Sequence, residues 1–332
     1  MNSVKDPMQP GASERPLICG PLSAVTVASS SPERMRRLMQ GALNLTPRLE
    51  RVEGAAAAAL AEHWGIAPTG ELEVTVYTRP EVDEAVMLRV LRVPPTTPVS
   101  RPHLDCRYTG ALGFGFAITG LRARHAIVEQ SGFSASAGVT VMAFPRADGS
   151  TYEVGETHWI APDDFMVLGV DRSDMQPIGP IDTALGIGGP NYSSALVSDA
   201  GRTGAFLDEV LGLELRREFT FEAEGPQGGM GLPAGTRVHF QQWFAPAARS
   251  GYLVVMQLLE HALSPPQPLG LCARGIGLWS FKTADTDLVL ERARRHGAAV
   301  RREPARLLLP GSGEVRAMML ASPDGFPIEI FS

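Results

Sequence analysis

The chain has 332 residues, of which 44% are hydrophobic and 20% charged, with a formal net charge of -6. That is enough chain for two domains of ordinary globular composition, and the absence of any Lys/Arg-rich run excludes nucleic acid as an expected partner. The three cysteines, Cys19, Cys106 and Cys272, stand alone without a C-x-x-C pair, which argues against a zinc knuckle or redox motif and suits a reducing, cytoplasmic setting.

Met1 to Pro16 is polar and lacks an apolar core, so a disordered tail over 1–18 is expected rather than a signal peptide. No apolar run reaches the roughly 20 residues of a membrane helix, so no membrane partner is expected. From there one unit repeats four times: a β-like run, a capped helix, a glycine, then further β-like runs. In the first copy Leu22–Ala28 reads as a strand, Ser31 as a helix cap and Pro32 as its first position, where a missing N–H costs nothing. Met35, Leu38 and Met39 supply the apolar stripe. Ala55–Trp64 reads as an extra helix, followed by strands at Leu72–Thr78 and Val86–Val93. The linker Pro94–Pro102 leads to a second copy with Phe114–Thr119, a helix over Leu121–Gln130, and strands at Val139–Phe144 and Phe165–Val170.

Gln176–Pro190, rich in Pro and Gly, reads as the boundary between halves. The third copy has a strand at Asn191–Val197, an N-cap at Asp199, and Phe206, Leu207, Val210 and Leu211 at helical spacing. Strands follow at Glu214–Phe221, Thr236–Phe244 and Tyr252–Leu259. Between them Glu222–Ala234 reads as a hairpin loop placed to cover a pocket mouth. A linker at Ser264–Gly270 precedes the fourth copy, with Gly277–Thr283, a helix over Thr286–His296, and strands at Ala299–Arg302, Val315–Leu320 and Pro327–Phe331. Gly132, Gly212 and Gly297 recur behind the helices at a near-constant interval, as repetition of one supersecondary unit requires. The expected layout is therefore an N-terminal module pair over 19–178 (about 19–100 and 108–175) and a C-terminal pair over 181–332 (about 185–262 and 272–332).

The last strand carries the sharpest chemical signal. Successive strand side chains point to opposite faces, so Glu329 faces away from Ile328 and Ile330. A buried carboxylate needs a cation, a metal or a substrate proton, which makes Glu329 the first functional candidate; an ion pair with Arg316 is the structural alternative. On Thr236–Phe244, His239, Gln241 and Trp243 share one face and Phe240, Gln242 and Phe244 the other. His239 reaches a ligand if the first face lines a cavity. His158, beside Trp159, is left open between a site and a local hydrogen bond. His103 and Asp105 read as a surface turn, and His63, His125, His261 and His296 as solvated.

The stretch ALVSDAGRTGAFLDEVLGLELRRE (195–218) resembles the opening of a vicinal oxygen chelate module, and ASPDGFPIEIFS (321–332) looks like its close. That superfamily contains glyoxalase I, extradiol dioxygenases and bleomycin-resistance proteins. The resemblance implies an α+β fold of four βαβββ modules paired into two barrel-like halves. In metal-dependent members, ligands come from first strands and closing strands. Here Glu329 matches the closing glutamate and Gln257 takes the comparable place in the third copy. The first-strand places hold Leu22, Gly113, Tyr192 and Leu278, with Trp279 beside the last, and none is histidine. The resemblance then implies a small-molecule enzyme with an altered site that needs no cofactor. Glu329, Tyr192 and His239 would carry acid–base chemistry, of isomerase, lyase or cyclase type, on an aromatic or polycarbonyl substrate. Gln257, Trp243, Trp279 and Gln241 would line the pocket of the C-terminal half. Two alternatives stay open: a dioxygenase or glyoxalase-like enzyme holding Fe, Mn, Ni or Zn through Glu329, His239 and Gln257, and a non-catalytic drug- or metabolite-binding protein. A homodimer is also open.

Overall fold

The structure is a computed structural model that describes residues 15–332 apart from 83–84, 146–148, 173–177, 224, 226–229 and 267. Most of the tail, two residues of the Gln176–Pro190 boundary and five of the Glu222–Ala234 loop lie outside the described residues.

The repeated unit is present four times. Module one runs β1 (Cys19–Ser29), α1 (Pro32–Arg36, continued by a π-helical turn over Arg37–Ala42), β2 (Thr46–Glu53), α2 (Gly54–Trp64), β3 (Glu71–Thr78) and β4 (Met87–Arg92). Module two is β5 (Gly110–Ile118), α3 (Leu121–Gln130), β6 (Thr140–Pro145), β7 (Thr151–Ile160) and β8 (Met166–Asp171). Module three is β9 (Ile187–Leu196), α4 (Ala200–Glu209), β10 (Glu214–Glu222), β11 (Arg237–Phe244) and β12 (Tyr252–Leu258). Module four is β13 (Gly275–Thr283), α5 (Thr286–Arg295), β14 (Ala299–Leu309), β15 (Gly313–Ala321) and β16 (Pro327–Phe331). Two strands, β2 and β7, have no counterpart in the sequence reading. Both are rich in charged and hydroxyl residues (TPRLERVE and TYEVGETHWI), which masks their few apolar positions.

The helix starts divide. Asp199 accepts a hydrogen bond from Arg202 N, and Asp285 from Asp287 N and Leu288 N, as an N-cap carboxylate should. Ser31 makes no side-chain capping bond, although Pro32 sits in the first turn as expected.

The sixteen strands of the described residues form two eight-stranded sheets, in the orders β14-β15-β16-β13-β1-β4-β3-β2 and β10-β11-β12-β9-β5-β8-β7-β6. Module one therefore pairs with module four through antiparallel β1–β13, and module two with module three through antiparallel β5–β9. The expected pairing of neighbours, one with two and three with four, is corrected by this topology. All four modules share one apolar pattern, so the pattern does not name the partner; the buried groups on each first and last strand do. The two module pairs curl into half-barrels, each with one face turned to the other.

Helices α1, α3, α4 and α5 lie between the sheets. Their Met35, Val128, Phe206 and Val289 pack with Phe281, Ile328 and Ile330 of the first sheet and Phe114, Phe116 and Val255 of the second. Trp279 Nε1 donates to Ser193 Oγ at 2.9 Å and links the two sheets directly. The Ala-rich helix α2 lies on the opposite face of the first sheet. Its Ala57, Leu60, Ala61 and Trp64 pack on Val74, Leu91, Leu278, Ala317, Met319 and Phe331. It ends at Gly65, whose left-handed backbone (φ 66°) stops the helix. The concave face of the first half-barrel is thus filled by the chain itself.

Leu60 is fully buried in this packing. Leu60→Ala is expected to cost about 2–5 kcal/mol of stability, read as a fall in the denaturant midpoint; a loss below about 0.5 kcal/mol would show that α2 does not plug the sheet.

Candidate active site

The alternation on β16 works as expected. Ile328 and Ile330 face the helix layer, and Glu329 projects from the other face toward α2. Its surroundings are complete. Oε2 accepts from Arg89 Nη1 at 2.8 Å and from Ser280 Oγ at 2.8 Å. Oε1 accepts from Trp64 Nε1 at 3.0 Å. His63 Nε2 lies 3.2 Å from Oε1 but off the hydrogen-bond direction. Arg89 is satisfied in turn by Pro310 O at 2.8 Å and by Ser280 and Ser312 hydroxyls. Both charges are fully buried. Burial works to raise the carboxyl pKa, but the Arg89 guanidinium, then His63 and Trp64, outweigh it and hold the group at about 2. Such a carboxylate keeps its charge and, fully buried among Arg89, Ser280, Trp64 and His63, does not face the cavity described below. Glu329 as catalytic acid or base is therefore a correction, as is Arg316 as its partner, since Arg316 pairs with Asp287. His63, expected in solvent, is buried in this network.

The other expected site residues are placed apart. His239, Gln241 and Trp243 do share a face of β11, but it is the helix-side face. His239 Nε2 lies 3.0 Å from Glu218 Oε1, Gln241 Nε2 donates to Glu218 at 2.8 Å, and Trp243 Nε1 donates to Gln241. Gln257, the cross-strand neighbour of His239, accepts from Ala200 N and caps the start of α4. Trp279 lies in the core between the sheets. Of the seven, Tyr192 is the one that lines the cavity of the second half-barrel.

That cavity lies on the concave face of the second half-barrel and encloses about 350 Å³. Its walls are largely apolar, with Leu112, Val154, Met166, Leu168, Val254 and Met256 prominent. The polar side chains are Glu156 and His158 of β7, Tyr192 and Ser194 of β9, Thr140, Gln242 and Tyr252, with Arg172, Arg217 and Glu222 also on the lining. His158 is 6% exposed. Neither of its ring nitrogens has a hydrogen-bond partner among the described residues, and Glu156 Oε2 stands 3.5 Å from Nε2. Gln242 Oε1 is likewise buried and unpaired among those residues. Tyr192 stacks on Tyr252 (centroids 5.0 Å apart), which stacks on Phe244 (4.5 Å). Burial, then the Glu156 charge and the second tyrosine, push the Tyr192 hydroxyl well above its ordinary pKa; burial does the same for Tyr252. Both hydroxyls stay protonated. Residues Glu222, Ala223, Gly225, Met230 and Leu232 of the expected loop do line this cavity. A wider depression of about 710 Å³ adjoins it across Met166, Met230 and Leu232, but its charged Asp105 and Arg107 are bonded to each other.

Residues 189–330, the last two modules, match the family model described as the Glyoxalase/Bleomycin resistance protein/Dioxygenase superfamily. Residues 189–330 belong to that superfamily.

The whole chain has its fold. Glyoxalase I from Zea mays superposes with a TM-score of 0.60 at 13% identity over 94% of this chain and 92% of that one. A single-site mutant of that enzyme gives a TM-score of 0.64 at 12% identity and the same coverage. A putative dioxygenase from Bacillus subtilis gives 0.56 at 13% identity over 95% and 86%. No curated protein sequence matches the chain. Superfamily members often hold a divalent metal, and the residues here do not fit one at the superfamily's ligand positions. The closing-strand carboxylate Glu329 is saturated by Arg89, Ser280 and Trp64. In the second half-barrel the cavity-facing places of β12 and β8 hold Val254, Met256, Met166 and Leu168, none of which binds a hard divalent cation. The alternative set of Glu329, His239 and Gln257 is split between two sheets, and no cluster of three His, Cys, Asp or Glu side chains occurs among the described residues. In addition, no helix among the described residues is long and apolar enough to cross a membrane.

Two outcomes test these placements. Glu329→Gln leaves Arg89 uncompensated and is expected to cost about 3–5 kcal/mol, whereas Arg89→Met/Glu329→Leu recovers most of that loss. A carboxyl whose folded pKa lies below its unfolded value stabilises the fold above the unfolded value, and that contribution is lost as pH falls through the folded one. Wild-type stability should therefore decline between about pH 4.5 and about pH 2, and the double variant should lack that part of the decline in acid-unfolding curves. Second, a Cβ on Gly115 would lie 2.0 Å from Tyr192 Cε1. Gly115→Ala must then push the ring aside, with a stability loss of about 1–3 kcal/mol and an altered near-ultraviolet tyrosine dichroism; an unchanged spectrum would place the ring elsewhere.

Proposed function

We propose that the protein is a small-molecule enzyme whose reaction centre is the cavity of the second half-barrel, and that it moves protons on an aromatic or polycarbonyl substrate. The observation that carries this reading is His158: an imidazole buried in a cavity wall, with both nitrogens free of hydrogen bonds from the described residues and a carboxylate 3.5 Å away. A buried polar group without a partner is costly, and a ligand bound in the cavity meets that need. Imidazole is also the side chain best matched to proton transfer near neutral pH. In this reading His158 takes a proton from a substrate carbon or hydroxyl, Glu156 supports the imidazolium that forms, and Tyr192 donates to the carbonyl oxygen on which negative charge develops. Isomerisation, elimination and cyclisation of carbonyl compounds all begin with such a step.

A second reading has its own support. The Phe244–Tyr252–Tyr192 stack and the apolar walls suit a protein that only holds an aromatic molecule. Deuterium exchange separates the two. The protein is incubated in D2O with 1-tetralone, 1-indanone and acetylacetone, and incorporation next to the carbonyl is followed by proton NMR. Acceleration over buffer by wild-type protein, reduced at least about 100-fold in folded His158→Gln, is the expected result for a general base. Exchange at the buffer rate for all three ketones would overturn the enzyme reading and leave the binding one.

A further inference from the structure

The strand register gives this cavity two polar ends. His158 pairs with Leu168, Leu168 with Gly115, Gly115 with Tyr192, and Tyr192 with Tyr252. Phe244 continues the row by stacking on Tyr252. One line of residues thus crosses six adjacent strands on the cavity face. Gly115 is the gap in that line. With no side chain there, the Tyr192 ring lies over β5, its hydroxyl 2.5 Å from where a Cβ would stand. The hydroxyl is thereby carried from β9 toward β8 and β7. From β5 to β7 is two strand spacings, about 10 Å along the sheet and less across its concave side. Tyr192 and Tyr252 hydroxyls, held protonated by burial, form a donor end. Glu156 and His158 form an end that accepts a hydrogen bond from a ligand hydroxyl. Between the ends the walls are Leu112, Leu168, Val254 and Met256.

Resting on the cavity proposed above as the site, we infer that its ligand is a flat, uncharged bicyclic or larger aromatic molecule. It carries a carbonyl at one end, held by Tyr192 and Tyr252, and a hydroxyl at the other, held by Glu156 and His158. A carboxylate at the hydroxyl end would face Glu156, and a second carbonyl there would face its acceptor oxygens; each is disfavoured by repulsion between like charges or lone pairs. A phenolic hydroxyl matches.

Four matched bicyclic probes test this by isothermal titration: 6-hydroxy-1-tetralone, 1-tetralone, 5,6,7,8-tetrahydro-2-naphthol and 5,6,7,8-tetrahydro-2-naphthoate. The hydroxyketone is expected to bind about tenfold tighter than either probe that lacks one polar group, the size of one net hydrogen bond. Tyr192→Phe should bring the hydroxyketone to the affinity of the naphthol, and His158→Leu to that of 1-tetralone. Tightest binding by the naphthoate would overturn the inference and place an anion on Arg172 and Arg217. Equal affinity for all four would overturn it by showing an apolar cavity without polar ends. The probe series on wild-type protein decides even if a variant does not fold. It also stands apart from proton exchange, whose ketones carry no distal hydroxyl and so leave His158 free to approach the carbon beside the carbonyl: the affinity pattern without exchange sinks the enzyme reading alone, and exchange without the pattern sinks the ligand class alone.

Discussion

The Arg89–Glu329 ion pair is the constraint on which the architecture turns. Each charge sits on a different module, the guanidinium on β4 and the carboxylate on β16, and neither reaches water. Removing two charges from water costs several kcal/mol each, and only excellent geometry offsets it. Here the geometry is supplied from three further directions: Ser280 on β13, Ser312 and the Pro310 carbonyl in the β14–β15 turn, and Trp64 at the end of α2. A module pairing that separated Arg89 from Glu329 would bury two uncompensated charges. The pair is therefore a selector as much as a stabiliser: apolar faces common to all four modules permit several pairings, and this one bond network penalises the wrong ones.

The same network explains why the two half-barrels differ. In the first, α2 brings Trp64 and His63 onto Glu329 and fills the concave face with alanines and leucine. In the second, the space equivalent in kind is left open, and His158 and Gln242 stand at its surface without partners among the described residues, where the Arg89–Glu329 pair of the first is held by several bonds. Saturation and vacancy are complementary uses of one scaffold. A polar group with every lone pair occupied holds structure together, and one with an unpaired nitrogen in an apolar wall is available to a ligand.

Much of this was legible from residues alone, and the failures have physical causes. The module pattern, the Asp199 cap, the Ala-rich helix and the opposition of Glu329 to Ile328 and Ile330 all follow from local periodicity, which a single strand or helix carries in full. The division of β11 into two faces was also correct. Which face meets the cavity was not, because a period of two is silent about direction: Phe240 and Gln242 line the cavity, while His239 and Trp243 turn toward the helices. Arg89 could not be matched to Glu329 because 240 residues separate them. Gly115 gave no sign of its role, since its role is the absence of a side chain opposite Tyr192. Glu156, on which the proposed site rests together with the His158 left open above, was within reach of the sequence. Spaced two apart in TYEVGETHWI, the two share a face as soon as that stretch is read as a strand.

The order of modules along the chain has a consequence for how the molecule is made. The second half-barrel is contiguous, β5 to β12, whereas the first is built from the two ends and closes around it in sequence. During vectorial synthesis the inner half has all its strands at hand while the outer half still lacks β13 to β16. Until those strands emerge, α2 has only half a sheet to cover and Arg89 has no counter-charge. The strands around the cavity are thus at hand early, from one contiguous stretch of chain, and the outer half is deferred to a late step of longer range whose loop-closure cost is met when the last strand delivers its carboxylate.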